Sequence, residues 1–313
     1  MPDNPAEGQA PLRLGAKTFA PSQPVLMAIV NRTPDSFYDA GATYALDTAL
    51  RAADLALSQG ADILDIGGVK AGKGEPVSVS EEIDRVVPVI EAVIAAHPEA
   101  VISVDTWRSE VAAEAARAGA GLINDCWEGH DPLVAFVAAR AGIGLVCTHA
   151  GHLAPRTDPD RPDFGDLMGD VTSTLAALTA EALEAGVRAD AICIDPGHDM
   201  GKTTSQTLEI TRRIGDLVAT GWPVMVAVSN KDFIGETLDL DVNDRLAGTL
   251  AVTATCAWLG ARVFRAHQVK QTKEVLDMVA SIRGDRPPIR AIRGLGFGRD
   301  DLADMQQAMA ESG

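Results

Sequence analysis

Eight short runs of apolar and β-branched residues recur along the chain, and each is followed by a longer segment whose apolar residues have helical spacing. The apolar runs lie at 25–30, 62–67, 101–105, 121–125, 143–148, 191–195, 224–229 and 262–267. Near-continuous apolar strands separated by helices are typical of a parallel sheet covered by helices. Eight such units in roughly 260 residues fit a closed barrel, so the sequence predicts an α/β fold of the (β/α)8 TIM-barrel type in a single domain.

The turn after the first strand argues against the main alternative, an open doubly wound sheet. That fold needs a glycine-rich phosphate-binding turn at this point, whereas the first strand here is followed by NRTPDSF. The predicted helices lie near 44–59, 78–96, 108–118, 132–141, 168–186, 205–220, 241–259 and 271–283.

The two ends of the chain differ in composition from the barrel segment, residues 24–284. Residues 1–23 are rich in proline, alanine and polar residues and contain no apolar signal segment, so a flexible leader is predicted. Residues 285–313 are interpreted as a link rich in proline and glycine, followed by a short amphipathic helix from about Asp300 to Ala310. The four cysteines are widely separated and mostly lie in apolar runs, which favours reduced thiols and a cytoplasmic protein without a membrane span.

The chain is strongly acidic, with 27 lysine and arginine residues against 44 aspartate and glutamate residues and a formal charge of −17. Such a charge repels the phosphates of nucleic acids and anionic membranes, so neither is an expected partner. An anionic substrate would therefore need local cations. Arg265 and His267 share a face of the eighth strand, and Lys231 follows the seventh, where this fold often binds phosphate. Arg265 fits either a phosphate clamp or an ion pair with a neighbouring acid.

Polar residues follow nearly every predicted strand, at the end of the barrel where this fold carries its chemistry. They are Asn31, Asp65, Asp105, Asn124 with Asp125, His149, Asp195, Ser229 to Lys231, and Arg265 with His267. Any one of them could be a helix cap or a turn residue, but the set can converge on one mouth. Asp105, Asn124 and Asp195 together suit the edge of a heterocycle that bears an amino group and a ring N–H.

Several motifs carry a specific resemblance to one family. They are NRTPDSFYDAG, ADILDIGG, ISVDTWRSEVAAEAARAGAGLIND, DPGHDMGK, VSNKDFIGETL with RLAGTL, and RAHQV. Over these segments, from about Val25 to about Gly284, the chain resembles a dihydropteroate synthase or a close paralogue of one. The family has the same barrel fold and joins p-aminobenzoate to 6-hydroxymethyl-7,8-dihydropterin diphosphate with Mg²⁺, releasing pyrophosphate. The resemblance implies a transferase of folate biosynthesis and a homodimer formed through barrel helices around 241–283.

The resemblance also implies a role for each matching position. The residues implied for the pterin ring are Asp105, Asn124, Asp195 and Lys231. Those implied for the diphosphate are Asn31, which is also the implied Mg²⁺ ligand, Arg265 and His267. The residues implied to close over the reacting methylene group, on the loop after the first strand, are Phe37 and Asp39. The reaction needs a stabilised leaving group more than a strong base, and its implied catalytic residues are Asp39, Lys231 and Arg265.

The loop after the second strand departs from the family pattern. The family has GGESTRPG, whose Thr, Arg and Pro help to build the p-aminobenzoate site, whereas residues 67–74 here are GGVKAGKG. In the family's SRKSF stretch the second serine is replaced by Asp232, whose charge would repel the carboxylate of p-aminobenzoate unless Lys70 or Lys73 offsets it. The residues assigned to the second-substrate loops are Phe37, Lys70, Ala71, Lys73 and Asp232.

Three functions fit a chain that keeps the pterin residues but has a rewritten second-substrate loop. The first is a working synthase. The second is a paralogue that uses another amine, or that has lost the reaction and serves as a ligand-binding or regulatory barrel. The third, a pterin-dependent methyltransferase, is disfavoured because Lys231, Arg265 and His267 indicate a diphosphate, which methyl transfer does not require. Between the first two, the departures favour weak or absent synthase activity.

His149 and His152 form an HxxH motif after the fifth strand. The surrounding stretch contains proline and aspartate throughout and lacks helical spacing, so it is interpreted as a surface loop rather than a metal site. His149 matches a family position near the mouth, and His152 is expected to be structural or exposed.

Overall fold

The computed structural model describes residues 10–31, 46–70, 72, 74–157, 163–291 and 293. Its central sheet has eight parallel strands, which confirms the (β/α)8 barrel. They are β3 (Val25–Asn31), β4 (Ile63–Gly67), β5 (Val101–Asp105), β6 (Leu122–Asp125), β7 (Gly144–Thr148), β8 (Ile192–Asp195), β9 (Met225–Val226) and β10 (Val263–Ala266). Each strand pairs with the next around the sheet, β10 pairs with β3, and a single bridge between Ile194 and Val224 links β8 to the segment that enters β9. The barrel is thereby closed.

Helices follow the strands in the predicted alternation. They are α1 (Leu46–Ser58), α2 (Val79–Ala96), α3 (Ser109–Ala118), α4 (Leu133–Ala141), α5 (Leu167–Ala185), α6 (Thr204–Arg212), α7 (Ile214–Val218), α8 (Asp232–Leu238), α9 (Leu246–Trp258) and α10 (Val269–Arg283). The helix predicted at 205–220 is divided at Arg213, and α8 is an extra short helix that precedes α9. Side-chain caps fix three of the starts, since Ser78, Asp166 and Thr203 each accept a backbone N–H of the first turn.

Residues that alternate along each strand point into the barrel and fill its lower half with apolar side chains. This inner cluster contains Val25, Met27, Ile63, Val101, Leu122, Val146, Cys193, Met225 and Val263. Because side chains on a strand repeat every two residues, the next inward positions up these strands include Asp65, Ser103, Asn124, Asp195 and Arg265. The half of the barrel nearer the amino ends of the strands is therefore a packed apolar core. The inward-facing polar side chains begin at the next position toward the carboxyl ends.

The stretch before the first barrel strand forms an antiparallel hairpin of β1 (Leu12–Leu14) and β2 (Lys17–Phe19). Leu12, Leu14 and Phe19 are buried in the same cluster as the inner barrel residues, and the guanidinium of Arg262 donates to the carbonyls of Phe19 and Ala10, each at 2.7 Å. The prediction of a flexible leader over 1–23 is therefore wrong for this hairpin. The sequence argument weighed proline and polar content and missed the alternate apolar residues that close the bottom of the barrel.

The hairpin also explains a glycine at the start of β7. A Cβ atom on Gly144 would lie 2.6 Å from Leu14 Cδ2 and 2.8 Å from the carbonyl oxygen of Ala191. The predicted leader residues 1–9 and the predicted C-terminal helix at 300–310 lie outside the described residues. Among the described helices, none combines the length and apolar character required to cross a membrane.

Candidate functional site

A cavity of about 170 Å³ lies at the carboxyl ends of the barrel strands. Among the residues on its wall are most of the predicted site residues: Asn31, Lys70, Asp105, Asn124, Asp195, Lys231, Arg265 and His267. Apolar atoms of Ile29, Val69, Met200, Met225 and Ala227 line the rest, together with Cys126 and Thr148. The strands thus bring residues from distant parts of the sequence to one polar pocket with apolar walls, which is the usual character of a small-molecule site.

An ion-pair network centred on Arg265 forms the floor of this pocket. Arg265 donates from Nε to Asp65 Oδ2 at 2.6 Å and from Nη2 to Asp105 Oδ2 at 2.7 Å. The fully buried Asp65 also accepts from Ser103 Oγ at 2.5 Å and from Asn124 Nδ2 at 3.2 Å. Arg265 therefore forms ion pairs with two neighbouring acids, Asp65 and Asp105, as one of its two sequence interpretations predicts. Of its guanidinium nitrogens, Nη1 is the one that these two carboxylates leave for a ligand.

Burial shifts the protonation equilibria of this network. Desolvation raises the pKa of Asp105 to about 6, although the Arg265 charge acts in the opposite direction. For Arg265, burial lowers the pKa, but the carboxylates of Asp65 and Asp105 outweigh burial and raise it. Arg265 is thus a permanent cation, while the charge of Asp105 is lost in mildly acidic solution.

The loop after β8 holds Asp195 at the cavity wall. The N–H of Gly197 donates to Asp195 Oδ1 at 2.8 Å, and burial raises the pKa of Asp195 despite this bond. Gly197 has φ +65°, and a Cβ atom there would lie 2.0 Å from the carbonyl oxygen of His149, so only glycine fits. Lys231 donates from Nζ to the carbonyl oxygen of His198 in the same loop.

A second, fully buried lysine supports this loop from behind. Lys202 Nζ donates to the carbonyl oxygens of His149 and Gly197, each at 3.0 Å, and of Met200 at 2.8 Å. Burial lowers the pKa of Lys202 to about 7. In its protonated form the ammonium group has three donors for these three carbonyls, so Lys202 is a positioning residue that joins the loops after β7 and β8.

Two residues on the wall of the pocket each have a buried polar atom without a hydrogen-bond partner among the described residues. Within the described ranges, Asn124 Oδ1 and Thr148 Oγ1 are inaccessible to solvent and have no hydrogen-bond partner. Buried polar atoms without partners cost on the order of 1–3 kcal/mol each, so these two atoms mark where a molecule or a water in the cavity would complete the hydrogen bonding. His267, on the same wall, is oriented by Ser229, whose Oγ lies 3.0 Å from His267 Nδ1.

The assigned second-substrate residues have mixed placements. Lys70 lines the cavity. Asp232 does not: its side chain is 78% exposed, and Oδ1 accepts from Arg245 Nη1 at 2.8 Å. The expectation that a lysine must offset the Asp232 charge is therefore corrected, because Arg245, a residue of the RLAGTL motif, pairs with it. Phe37, Asp39, Ala71 and Lys73 lie outside the described residues.

Three arginines hold the rewritten loop after β4. Arg85 Nη1 donates to the carbonyl oxygen of Gly68 at 2.7 Å, Arg108 Nη2 to that of Val77 at 2.9 Å, and Arg156 Nη1 to that of Glu75 at 2.8 Å. Arg108 is itself paired with the fully buried Glu82 at 2.8 Å. The described ends of this loop are thus anchored by side chains from α2, from the turn before α3 and from the loop after β7.

Sequence reasoning missed several of these side chains. Ser103 lies two residues before Asp105 on β5, so the two-residue period could have placed both on the inner face. The thiol of Cys126 donates to Asp105 Oδ1 at 3.2 Å, a contact beyond the reduced thiol that the sequence predicts. Asp125 points away from the pocket, where it accepts the backbone N–H groups of Trp127 and Gly129. Nothing local to Arg156 indicates its contact, because the partner carbonyls lie about 80 residues earlier in the chain.

The fold and the pocket define a (β/α)8 barrel with a polar cavity at the carboxyl ends of its strands, the place where this fold carries its functional sites. Comparison with known proteins identifies the family within this class. Residues 27–267 match the family model described as pterin binding enzyme.

Three relatives illustrate the similarity. The chain is 51% identical over 286 residues to the inactive dihydropteroate synthase 2 of Mycobacterium leprae, covering 90% of this chain and 98% of that protein. It is 40% identical to the dihydropteroate synthase of Bacillus subtilis, covering 82% and 87% of the two chains. A crystal structure of the Yersinia pestis enzyme with a sulfonamide drug superposes with a TM-score of 0.83 at 34% identity, covering 88% of this chain and all of that one.

The chain therefore belongs to the pterin-binding enzyme family. Within the family it is a protein of the dihydropteroate synthase type, and its place beside the inactive relatives fits a divergent paralogue.

Proposed function

We propose that this chain binds a dihydropterin diphosphate at the barrel mouth. We further propose that its activity in condensing this ligand with p-aminobenzoate is weak or absent. One observation carries the proposal: Asp105, Asn124, Asp195 and Lys231 line a single cavity, while the loop beside it lacks the family's Thr, Arg and Pro. The first substrate's side of the site is therefore retained, and the second substrate's side is not.

The pocket chemistry matches the edge of a pterin ring. Carboxylate oxygens of Asp105 and Asp195 and the buried Asn124 Oδ1 accept hydrogen bonds, as the ring amino group and ring N–H require. Lys231 supplies a donor for the ring carbonyl, and Met200 and Met225 supply apolar surface. A solved relative from Coxiella burnetii, described as a complex with pteroic acid, supports this assignment.

The diphosphate would lie on the side of the pocket that carries Arg265, His267 and Asn31. Arg265 offers Nη1 in a fixed position, because Asp65 and Asp105 hold its other edge. His267 is held by Ser229, and Asn31 ends β3 at the same rim. These groups bind phosphate oxygens and stabilise negative charge there.

The residues fit Mg²⁺ only when the diphosphate is present. Mg²⁺ prefers one or two carboxylates together with substrate phosphates and water. Here the carboxylates of Asp65 and Asp105 are paired with Arg265, so the carboxamide oxygen of Asn31 would be the ligand from the protein. When bound, the ion neutralises charge that develops on the departing diphosphate. We expect no Mg²⁺ binding at the mouth without the diphosphate.

The rewritten loop supports the proposed loss of condensation with p-aminobenzoate, because it is the loop that builds the p-aminobenzoate site in the family. Residues 69–73 replace E-S-T-R-P of the family pattern with V-K-A-G-K, which removes a guanidinium and two hydroxyls. The loop's described ends are anchored by Arg85, Arg108 and Arg156. A relative named inactive is 51% identical to this chain, whereas the synthases of Bacillus subtilis and Escherichia coli are 40% and 36% identical. Lys70 on the cavity wall, which replaces the family's serine, supplies one cation for an anionic second ligand.

Two further observations support a proposed assembly and a proposed compartment. Large apolar side chains of α9 and α10 are exposed, namely Trp258, Met278 and Ile282. These helices contact each other, and Arg283 Nη1 donates to the carbonyl oxygen of Ala257 at 2.8 Å. We propose that these two helices form a homodimer interface, which sedimentation of the wild type and of Met278→Glu tests. All four cysteines are free thiols, which supports a reducing compartment, the cytoplasm.

A loop graft tests the proposed loss of activity. Dihydropteroate formation is measured with wild type and with a variant carrying Val69→Glu, Lys70→Ser, Ala71→Thr, Gly72→Arg and Lys73→Pro. We expect no turnover above background in the wild type and p-aminobenzoate-dependent turnover in the graft. Turnover by the wild type at the rate of a working synthase would overturn the proposal. If the graft is inactive but binds the pterin diphosphate, the loss lies elsewhere in the site and the loop argument is wrong.

A further inference from the structure

Two histidines and two carboxylates form a cluster beside the mouth, outside the cavity described above. His149 and His152 lie on the loop after β7, Asp170 lies in the first turn of α5, and Glu128 lies on the loop after β6. Each of His149, His152 and Asp170 presents one potential metal-ligating atom, and these atoms lie within 4.8 Å of one another. The sequence predicts a surface loop for the HxxH motif. In the structure, the carboxylate of Asp170 from α5 lies against both of its histidines.

The two imidazole rings converge on the same carboxylate. His149 Nε2 lies 2.8 Å from Asp170 Oδ2, and His152 Nε2 lies 3.1 Å from the same oxygen. The rings meet edge to face, with centroids 5.6 Å apart and planes at 71°. His149 is fully buried, whereas the His152 side chain is 53% exposed. The cluster is therefore fixed on one side and open to solvent on the other.

Glu128 determines which nitrogen of His152 faces Asp170. Its Oε1 lies 2.5 Å from His152 Nδ1, while its Oε2 accepts the backbone N–H groups of Ala150 at 2.7 Å and His152 at 3.1 Å. An ionised carboxylate accepts hydrogen bonds and donates none, so Nδ1 of His152 carries the proton in this contact. In neutral His152 the lone pair of Nε2 then faces a carboxylate oxygen, and the space between two acceptors requires a cation.

The backbone holds this arrangement at a cost. His152 and Glu128 both have φ +58°, a region that residues other than glycine seldom adopt. A carboxylate that hydrogen-bonds the outer nitrogen of a histidine, as Glu128 does, is the usual second contact of a metal-ligating imidazole.

We propose that His149 Nε2, His152 Nε2 and a carboxylate oxygen of Asp170 bind a divalent transition-metal ion of the Zn²⁺ or Co²⁺ class. Two imidazoles and one carboxylate are a common ligand set for these ions, and solvent at the open side would complete the coordination. Ligand atoms around such an ion lie roughly 3.3 Å apart at metal–ligand distances of about 2.1 Å. The separations of 2.8 and 3.1 Å between the two imidazole nitrogens and Asp170 Oδ2 would therefore lengthen when the ion binds. The ion would join the loop after β7 to α5, and the carbonyl of His149 in turn contacts Lys202.

Titration of the metal-free protein with Zn²⁺ and Co²⁺ tests the site. Without pterin diphosphate or Mg²⁺, we expect one ion per chain by calorimetry, a visible d–d spectrum of four- or five-coordinate Co²⁺, and a higher Tm with Zn²⁺ than with chelator. His152→Ala removes an exposed side chain and should abolish all three signals without unfolding the protein. Glu128→Gln should weaken binding by about 10- to 100-fold, because glutamine keeps a single acceptor oxygen, whereas Glu128 uses one oxygen for His152 Nδ1 and the other for two backbone N–H groups.

A matched control comes from a surface histidine–carboxylate pair elsewhere. His97 Nε2 lies 2.8 Å from Asp54 Oδ1, so His97→Ala removes an equivalent histidine and should leave metal binding unchanged. The proposal is overturned if wild type binds neither ion, which would show that a proton on His152 is the only cation of the cluster. It is equally overturned if His152→Ala binds as wild type does, or if His97→Ala abolishes binding.

Discussion

Single residues in the pocket are constrained by charge. Arg265 serves two buried carboxylates at 2.6 and 2.7 Å, which fixes its orientation and neutralises charge that burial would otherwise penalise. In a chain of formal charge −17, an anionic ligand depends on such fixed local cations. A few pairs of charged side chains thus determine the geometry of the site. Removing one member of a pair leaves the other as a buried charge without its partner, which is unfavourable.

Pterin affinity should fall in mildly acidic solution. The Asp105 carboxylate accepts hydrogen bonds from the ring only when ionised, and burial raises its pKa to about 6. Affinity should be constant above pH 7 and fall up to tenfold per pH unit below the pKa, as for loss of one required charge. Calorimetry with 6-hydroxymethylpterin between pH 5 and 8 measures this, because this ligand lacks phosphates that titrate there. A flat profile for wild type, or an unchanged slope in Asp105→Asn, contradicts the assignment.

Lys202→Met should destabilise the fold and weaken pterin binding. The substitution leaves three buried carbonyls without their donor, which should lower the free energy of unfolding by about 2–4 kcal/mol. Binding weakens because Gly197, which orients Asp195, loses a tether. Urea unfolding measures the first effect, with the exposed Lys270→Met on α10 as control. Equal stability of Lys202→Met and Lys270→Met would refute the positioning role.

At the scale of elements, loops that differ from the family are held by long-range contacts. Arg156, on the loop after β7, donates to two backbone carbonyls of the loop after β4. At the opposite end of the barrel, the β1–β2 hairpin packs against the inner core. Each contact joins segments far apart in the chain, so neither is visible in local sequence patterns.

Arg156→Ala should loosen the loop after β4 without changing pterin affinity. Its guanidinium donates to Gly72 and Glu75 but does not lie on the cavity wall. Amide hydrogen exchange at positions 74, 75 and 77 should therefore accelerate, while calorimetry with pterin stays as in wild type. The exposed Arg140→Ala on α4 is the control. Unchanged exchange in Arg156→Ala would mean that Arg85 and Arg108 alone hold the loop.

Leu14→Ala should destabilise the whole barrel. The side chain is fully buried beneath β7, and a buried leucine truncated to alanine costs about 2–5 kcal/mol. Leu133→Ala on α4, where the side chain is 58% exposed, should cost far less. If urea unfolding shows the two variants to be equally stable, the hairpin contributes nothing to the core.

For the whole molecule, the sequence predicted the barrel and most of the pocket because both depend on local signals. Apolar runs gave all eight strands, and polar residues at their ends gave Asp105, Asn124, Asp195 and Arg265. It did not predict the β1–β2 hairpin, whose strands are three residues each, or α8, which is a single short helix after β9. It also missed the contacts of Arg156 and of His149 with Asp170, since those depend on how distant loops pack.

The central claim is that this acidic barrel binds a pterin diphosphate through side chains at its mouth. Calorimetric titration with 6-hydroxymethyl-7,8-dihydropterin diphosphate and Mg²⁺ tests it, using wild type, Asp195→Asn and the exposed Asp84→Asn of α2 as control. We expect one site per chain in wild type and in Asp84→Asn, with affinity about 10- to 100-fold lower in Asp195→Asn, as for loss of a charged hydrogen-bond acceptor. No heat of binding in wild type, or equal affinity in Asp195→Asn, would contradict the claim.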